Sequence, residues 1–210
     1  MTRSLHLYEV TDPAVVRAMH AVPREEFVPP DLRAEAYADR ALPIECGQTI
    51  SQPAVVAYMT EKLRVNRESR VLEVGTGSGY QAAVLAQLVS EVHTLERIPE
   101  LARTAAARLA GLGCDNVHVH EADGTEGWAA AAPFDAIIVT AAAEQIPPAL
   151  LLQLGPGGRL IMPVGSTDGN QVLVLLERKT AEVTTTRELW PVRFVPLVPG
   201  VAGPFEKSGD

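Results

Sequence analysis

Three closely spaced glycines, in the segment Glu73-Val74-Gly75-Thr76-Gly77-Ser78-Gly79, mark the most promising ligand site in the chain. The segment follows an apolar run, RVLEV, and precedes a helical pattern. It therefore predicts the first strand-to-helix turn of an α/β sheet, where ligands bind near the switch point. Dinucleotide-binding loops use GxGxxG and bring the backbone close to a pyrophosphate, whereas the spacing here is GxGxG. A carboxylate at Glu73 disfavours a pyrophosphate and favours a cationic amino group.

Two further acidic positions follow the next two apolar runs. Glu96 ends the second predicted strand, where an acidic residue accepts hydrogen bonds from ribose hydroxyls in nucleotide-binding folds. Asp123-Gly124 follows the third predicted strand. The Asp123 side chain could accept a hydrogen bond from the edge of an adenine, and Gly124 has no side chain to hinder access to its backbone. Taken singly, each motif also fits an ordinary turn or a solvated strand end. Their order at three successive strand ends predicts S-adenosylmethionine, which carries an amino group, a ribose and an adenine but no phosphate, and no metal.

The elements that position these motifs alternate along the chain. Apolar runs at RVLEVG, EVHTLER, NVHVHEAD, FDAIIVT and GGRLIMPVG are separated by helical patterns, which predicts parallel strands buried on both faces. One of the helices is expected to place Leu101, Ala105, Leu109 and Leu112 on a single face. Two long strands, NQVLVLLERK and EVTTTRELWPVRFVPL, predict a terminal antiparallel hairpin whose strand order stays open. The expected fold is α/β, a doubly wound Rossmann-like methyltransferase sheet of about seven strands.

The first 65 residues predict a helical extension in front of this sheet. Asp12-Pro13 is a helix start signal, with Asp as the cap and Pro at the first position. A second helix is expected to begin at Pro53, after an extended stretch, ALPIECGQTI. We therefore expect a single domain over 1–210, in which 1–65 form a helical preface with an active-site loop and 66–200 form the cofactor-binding core.

Composition narrows the classes of partner. The chain has 210 residues, 18 Lys and Arg against 26 Asp and Glu, and a net charge of −8. Nucleic-acid binding is disfavoured because such proteins carry basic clusters. The start of the chain has no long apolar segment, and every apolar run is shorter than the roughly 18 residues that span a bilayer. Two cysteines without a CxxC motif are typical of reduced thiols. We expect a soluble, cytoplasmic protein that is a monomer, with no membrane partner.

Longer segments of the chain resemble one family. In order, they are PREEFVPP, AYADRALPI, GQTISQP, VLEVGTGSGYQAAVLA, NVHVHEADGTEGW, APFDAIIVTAAA, QLGPGGRLIMPVG and RFVPL. Together they resemble the protein-L-isoaspartate (D-aspartate) O-methyltransferases over nearly the whole chain. The resemblance implies a repair enzyme that uses S-adenosylmethionine to methylate the free carboxylate of L-isoaspartyl and D-aspartyl residues in damaged proteins.

The resemblance also implies roles for individual residues. The serine of the family's TIS motif is the active-site residue and falls on Ser51. The implied substrate cleft is walled by Val195, Pro196 and Leu197. Together with the glycine loop, the implied cofactor contacts are Gln48, Thr49, Ile50, Ser51, Glu73, Gly75, Thr76, Gly77, Gly79, Glu96, Asp123 and Gly124. The chain departs from the family pattern at Glu45-Cys46, before Gly47, and at Val198.

Methyl transfer to a carboxylate does not require Ser51 to act as a base or as a covalent nucleophile. Such carboxyl groups titrate near 4, so the nucleophile is ionised at pH 7 without a general base. We therefore expect Ser51 to aim the carboxylate by donating a hydrogen bond. A serine at this position also fits a helix cap, and one hydroxyl can do both. Three other functions stay open: a methyltransferase with another acceptor, a non-catalytic S-adenosylmethionine-binding module, and a nicotinamide oxidoreductase.

Overall fold

A computed structural model of the chain describes residues 10–166, 169–180 and 183–203. Five α-helices are present in this part of the chain: α1 Pro13–Ala21, α2 Pro53–Leu63, α3 Tyr80–Ala86, α4 Pro99–Gly111 and α5 Pro148–Gln153. The strands are β1 Leu42–Pro43, β2 Thr49–Ile50, β3 Arg70–Val74, β4 Glu91–Glu96, β5 Val117–Glu121, β6 Phe134–Val139, β7 Leu154–Gly165, β8 Gln171–Arg178 and β9 Thr184–Val192. Short 3-10 turns include Arg24–Phe27 and Pro30–Glu35.

Seven strands form one mixed sheet in the order β5-β4-β3-β6-β7-β8-β9. Strands β3 to β7 pair in parallel, and β8 and β9 pair antiparallel to their neighbours. The α/β class, the seven strands and the antiparallel hairpin at the end of the sheet are thereby confirmed. The order of the last two strands, which the sequence left open, places β8 beside β7 and β9 at the edge.

The sheet is covered on both faces, as continuous apolar strands require. Val71, Ala136 and Ile161 pack into the core that also contains residues of α1, α2, α3 and α4. Leu72 and Ile137, one position further along their strands, pack into the opposite core, which includes α5. Among the described residues, none of the helices combines the length and the apolar character that crossing a bilayer requires.

The helix starts agree with the sequence, and one helix end differs. Asp12 caps α1, its Oδ1 accepting the N–H of Ala14 at 2.7 Å. The N-cap of α2 is Gln52, which makes no side-chain cap bond, and no first-turn N–H of the helix bonds to the Ser51 hydroxyl in the described chain, so a capping role for Ser51 is wrong. Leu112, expected on the buried face of α4, lies just beyond the last helical residue and is 38% exposed.

The last strand is shorter than the sequence pattern indicates. It was expected to continue to Leu197, but β9 ends at Val192. Beyond that point the Gln171 side chain takes over the bonding, its Oε1 accepting the N–H of Phe194 at 2.7 Å. The chain then turns toward the end of β6, where the N–H of Leu197 donates to the carbonyl of Ala142 at 2.7 Å. The segment 193–198 is thereby available to wall a site at the carboxyl ends of the strands.

Two leucines of α5 provide a matched test of the core beneath that helix. Leu150 is 0% exposed, whereas Leu152 is 80% exposed. We expect Leu150→Ala to lower the free energy of unfolding by about 2–5 kcal/mol, because truncation leaves a cavity. Leu152→Ala should change it by less than about 0.5 kcal/mol. Denaturant titration measures both variants, and equal losses would contradict the described packing.

Candidate active site

The glycine loop has a left-handed backbone at three positions. The φ angles are 97° at Gly75, 52° at Gly77 and 92° at Gly79, a region that favours glycine. Space is limiting as well at Gly75, because an added Cβ would lie 2.3 Å from Thr140 Oγ1. The Thr140 hydroxyl donates to the Gly75 carbonyl at 2.7 Å. The absence of a side chain at Gly75 thus allows the residue that follows β6 to brace the loop directly.

Strand β4 anchors the other side of the loop. The N–H of Gly75 donates to the carbonyl of Leu95 at 2.8 Å. Glu96 Oε2 accepts the N–H of Gly77 at 2.8 Å, and its Oε1 accepts that of Ile98 at 3.0 Å. Burial raises the pKa of Glu96, while these N–H donors oppose the rise. Each carboxylate oxygen keeps acceptor capacity beyond its one backbone bond.

Glu73 lies beneath the loop, not beside it. The side chain is fully buried, and its Oε2 accepts the Thr94 hydroxyl at 2.6 Å. The hydroxyls of Thr94 and Thr76 lie 2.7 Å apart. Hydrogen bonds therefore connect Glu73, through Thr94, to Thr76 in the glycine loop. Burial raises the pKa of Glu73 to about 8, which leaves the carboxyl group protonated at pH 7. Its other oxygen, Oε1, has no partner among the described residues.

A cavity of about 260 Å³, here named the first cavity, opens where β3, β4 and β6 end. Most residues that the sequence assigned to the site lie in its wall. They are Gln48, Thr49, Ile50, Ser51, Gly75, Thr76, Gly77, Glu96, Gly124, Val195, Pro196 and Leu197. Three assigned residues, Glu73, Gly79 and Asp123, are not part of that wall.

Gly79 and Asp123 have structural contacts of their own. An added Cβ at Gly79 would lie 3.3 Å from Leu109, so this glycine permits α3 and α4 to approach. Asp123 Oδ1 accepts the N–H of Thr125 at 2.8 Å, and its Oδ2 accepts that of Gly200 at 2.6 Å. Asp123 therefore ties the end of the described chain to the turn that carries Gly124.

Several wall residues were not identified from the sequence. Thr140 directly follows β6, and its place at the carboxyl end of a parallel strand was an available signal. Residues from α2 resemble ordinary core positions in the sequence and gave no signal. The wall residues to which the sequence analysis assigned no role include Val56, Met59, Tyr80, Gln81, Thr140, Ala141 and Phe194.

A second cavity, of about 340 Å³, adjoins the first. The two share the wall residues Thr49, Ser51, Thr140, Phe194 and Val195. The wall of the second cavity is otherwise largely apolar and aromatic, with Ala41, Val55, Tyr58, Leu173, Trp190, Pro191 and Val192 beside Gln52 and Arg193.

Ser51 is half-buried where the two cavities meet. Its hydroxyl makes no hydrogen bond to any other residue of the described chain. A donor without an internal partner at this junction is available to a molecule that occupies both cavities.

The departures from the family pattern lie at the edge of this site. Glu45 is exposed and belongs to neither wall, so its carboxylate does not face either cavity. Cys46 has a φ of 56°, and its Sγ lies 3.9 Å from Glu100 Oε2. Val198 lies in the wall of the first cavity and is 39% exposed.

Comparison with known proteins agrees with this geometry. The family model described as protein-L-isoaspartate(D-aspartate) O-methyltransferase (PCMT) matches residues 1–202. The chain belongs to this family. It is 53% identical to protein-L-isoaspartate O-methyltransferase 1 of Anaeromyxobacter sp. (strain Fw109-5), over 97% of this chain and 96% of the relative. A relative from Anaeromyxobacter dehalogenans (strain 2CP-C) is 57% identical over 90% of each chain.

Solved structures of the family share the fold. One protein-L-isoaspartate O-methyltransferase superposes with a TM-score of 0.83 at 29% identity. The match covers 94% of this chain and 64% of that longer chain. A Plasmodium falciparum structure, described as a beta-aspartate methyltransferase (PCMT) in complex with S-adenosyl-L-homocysteine, gives a TM-score of 0.80 at 26% identity. That match covers 93% of this chain and 97% of the other.

The close approach at Gly75 predicts a sharp response to a single methyl group. We expect Gly75→Ala to lose stability and ligand affinity together, because the new Cβ meets Thr140 and the φ of 97° is unfavourable. Gly111→Ala is the control, since nothing lies within 4 Å of an added Cβ there. Thermal unfolding with and without S-adenosylhomocysteine measures both effects. Normal ligand affinity in Gly75→Ala would contradict the loop geometry.

The protonated Glu73 predicts a pH-dependent stability. Its pKa is about 8 in the folded chain against an ordinary value of 4.5, so folding takes up a proton between these values. Stability is therefore lost as the pH rises from about 4.5 to about 8, at up to about 1.4 kcal/mol per pH unit. Glu73→Gln keeps an acceptor for Thr94 and should flatten this part of the profile. Unfolding measured at pH 5, 6, 7 and 8 tests this, and parallel profiles would contradict it.

Proposed function

We propose that the chain transfers a methyl group from S-adenosylmethionine to the free carboxylate of L-isoaspartyl, and D-aspartyl, residues in damaged proteins. The products are a methyl ester and S-adenosylhomocysteine. The observation that carries the proposal is the position of Ser51. Its hydroxyl has no partner among the described residues and lies between a cavity that suits a nucleoside and a second, largely apolar cavity. Membership of the family supports the same reaction.

The first cavity suits S-adenosylmethionine by the chemistry of its donor and acceptor groups. Glu96 has one backbone N–H on each oxygen and keeps the capacity to accept ribose hydroxyls. Gly124 presents backbone without a side chain, because an added Cβ would lie 2.3 Å from Val74 Cγ1. Arg97 is the cationic residue of the described wall, and its Nε is already bonded to the Gly200 carbonyl. A pyrophosphate would find little compensating charge here, which disfavours a nicotinamide cofactor.

The second cavity suits a peptide acceptor. Its aromatic residues, Tyr58 and Trp190, lie with ring centroids 5.0 Å apart, and Phe194 is shared with the first cavity. Apolar walls of this size accommodate side chains that flank the methylated residue. A small-molecule acceptor would need only the junction at Ser51. The shape therefore supports a damaged protein or peptide as the substrate.

Catalysis in this arrangement is chiefly a matter of position and exclusion of water. The bound cofactor supplies a methyl group on a positively charged sulfur. Ser51 donates a hydrogen bond to one oxygen of the incoming carboxylate and so directs the other oxygen to the methyl group. Val195 and Phe194 line the junction with apolar surface, which favours a reaction in which opposite charges cancel. Good orientation can supply about 7–11 kcal/mol of barrier lowering.

Partners and location complete the proposal. Damaged proteins that carry isoaspartyl residues are the expected partners, and nucleic acid is not. We propose a monomer in the cytoplasm. The two cysteines, which are unpaired among the described residues, agree with a reducing compartment.

Two peptides that differ at one residue test the reaction. One contains an L-isoaspartyl residue and the other a normal aspartyl residue, and each is incubated with the protein and methyl-labelled S-adenosylmethionine. We expect base-labile label in the isoaspartyl peptide alone. Transfer to neither peptide, with the cofactor bound, would favour the non-catalytic binding module. Label that is stable to base in another acceptor would favour a different methyltransferase.

Removal of the Ser51 hydroxyl tests its role in that reaction. We expect Ser51→Ala to lower kcat about 10- to 100-fold, the loss of one hydrogen bond to a charged group, with little change in the Kd of S-adenosylhomocysteine. Ser90→Ala is the control, since the Ser90 hydroxyl donates to the Ser69 carbonyl, far along the chain from the cavities. Full activity in Ser51→Ala would exclude the proposed role.

A further inference from the structure

Arg24 is a charged residue in a position that composition alone does not explain. It opens the 3-10 turn Arg24–Phe27 and is 0% exposed. Its guanidinium lies over the ring of Tyr80, 4.6 Å from the centroid. No carboxylate lies within ion-pair distance of it in the described chain. An arginine stays charged at neutral pH, and burial of a charge without a carboxylate partner lowers stability. Apolar residues would fill this space at lower cost.

The Arg24 guanidinium donates hydrogen bonds to two main-chain carbonyls from separate segments. Its Nε donates to the carbonyl of Ala36 at 2.6 Å, and its Nη2 donates to the carbonyl of Ser51 at 2.8 Å. The rigid fork of a guanidinium fixes the relative position of two acceptors. One of these acceptors belongs to the residue whose hydroxyl faces both cavities. The remaining nitrogen, Nη1, has no partner among the described residues.

Ser51 has few other restraints on its main chain. It lies between β2, which is only two residues long, and the first turn of α2, where the N-cap residue makes no side-chain cap bond. In that turn the N–H of Ala54 donates one long bond, 3.3 Å, to Asp39 Oδ1. The Arg24 bond is therefore the side-chain bond, within the described chain, that holds the main chain of Ser51 itself.

We infer that Arg24 is a positioning residue for methyl transfer, which acts by holding the Ser51 main chain so that its hydroxyl points to the junction of the cavities. The inference rests on the proposed function. It assigns the PREEF segment a role in the reaction, although Arg24 lies in neither cavity wall. A misplacement of about 1 Å in a reacting geometry costs on the order of 100-fold in rate, so loss of this tie should be visible in kcat.

A double-mutant cycle separates this role from general support of the fold. Arg24→Met, which fills the space under Tyr80 without the fork, is combined with Ser51→Ala, and kcat is measured with the isoaspartyl peptide for all four proteins. We expect Arg24→Met to lower kcat at least about tenfold when Ser51 is present, and less than about threefold in the Ser51→Ala background. The Kd of S-adenosylhomocysteine should change little in either background. Arg24→Lys, which can reach one carbonyl but not both, should give an intermediate kcat.

Phe27→Leu is the matched control for packing. Phe27 is buried and lies edge-on to Tyr80, with centroids 5.4 Å apart, in the same 3-10 turn. It should lower the thermal midpoint while leaving kcat within about threefold of the wild type. If Phe27→Leu lowers kcat as much as Arg24→Met, the effect of Arg24 is a packing effect.

The outcomes are distinct. Equal fold losses from Arg24→Met with and without the Ser51 hydroxyl would overturn the inference, as would an unchanged kcat. If Arg24→Met does not fold, the same cycle with Arg24→Lys decides by the same comparison. A wild-type chain that methylates neither peptide would overturn the proposed function, and the inference with it.

Discussion

The carbonyl of Leu95, at the end of a buried parallel strand, accepts the N–H of Gly75 and thereby fixes where the chain leaves the neighbouring strand. The loop is held from the other side by the Thr140 hydroxyl, which reaches the Gly75 carbonyl because no side chain intervenes. This pair of bonds requires a left-handed backbone at Gly75. The turn also places the N–H of Gly77, in the wall of the first cavity, against the carboxylate of Glu96.

The elements that precede β3 cover the carboxyl ends of the parallel strands and complete the site. Alone, the ends of the parallel strands would form an open edge with a loop that suits a nucleoside. The two-stranded β1–β2 hairpin and α2 bring Ser51 over this edge, and the segment after β9 closes the opposite side through Val195 and Leu197. The result is two adjoining cavities with the Ser51 hydroxyl where they meet. In the proposed reaction, the cofactor and the carboxylate would meet at this junction, and the chain would need to supply neither a metal nor a strong base.

The assigned residues of the first cavity's wall that precede β3 and follow β9 were named only by the family resemblance. Periodicity predicted the strands and their parallel pairing, because buried strands and glycine turns leave strong patterns in a sequence. What it could not predict depends on single side chains and on contacts between distant segments. The side chain of Gln171 accepts the N–H of Phe194 just beyond the end of β9. The N–H of Gly200 donates to Oδ2 of Asp123, so that oxygen already has a partner. Arg24, in a segment that appears polar, is fully buried. No local pattern distinguishes these side chains from solvated ones.

We expect the Ser51 hydroxyl to bind the substrate carboxylate where the two cavities meet. A crystal structure of the protein with S-adenosylhomocysteine and an isoaspartyl peptide tests it most directly, by the distance from Ser51 Oγ to the nearest isoaspartyl carboxylate oxygen. The account predicts a hydrogen bond of about 2.5–3.0 Å, the nucleoside beside Glu96 and the peptide flanks along Tyr58 and Trp190. A carboxylate bound away from Ser51, or a nucleoside outside the first cavity, would contradict it.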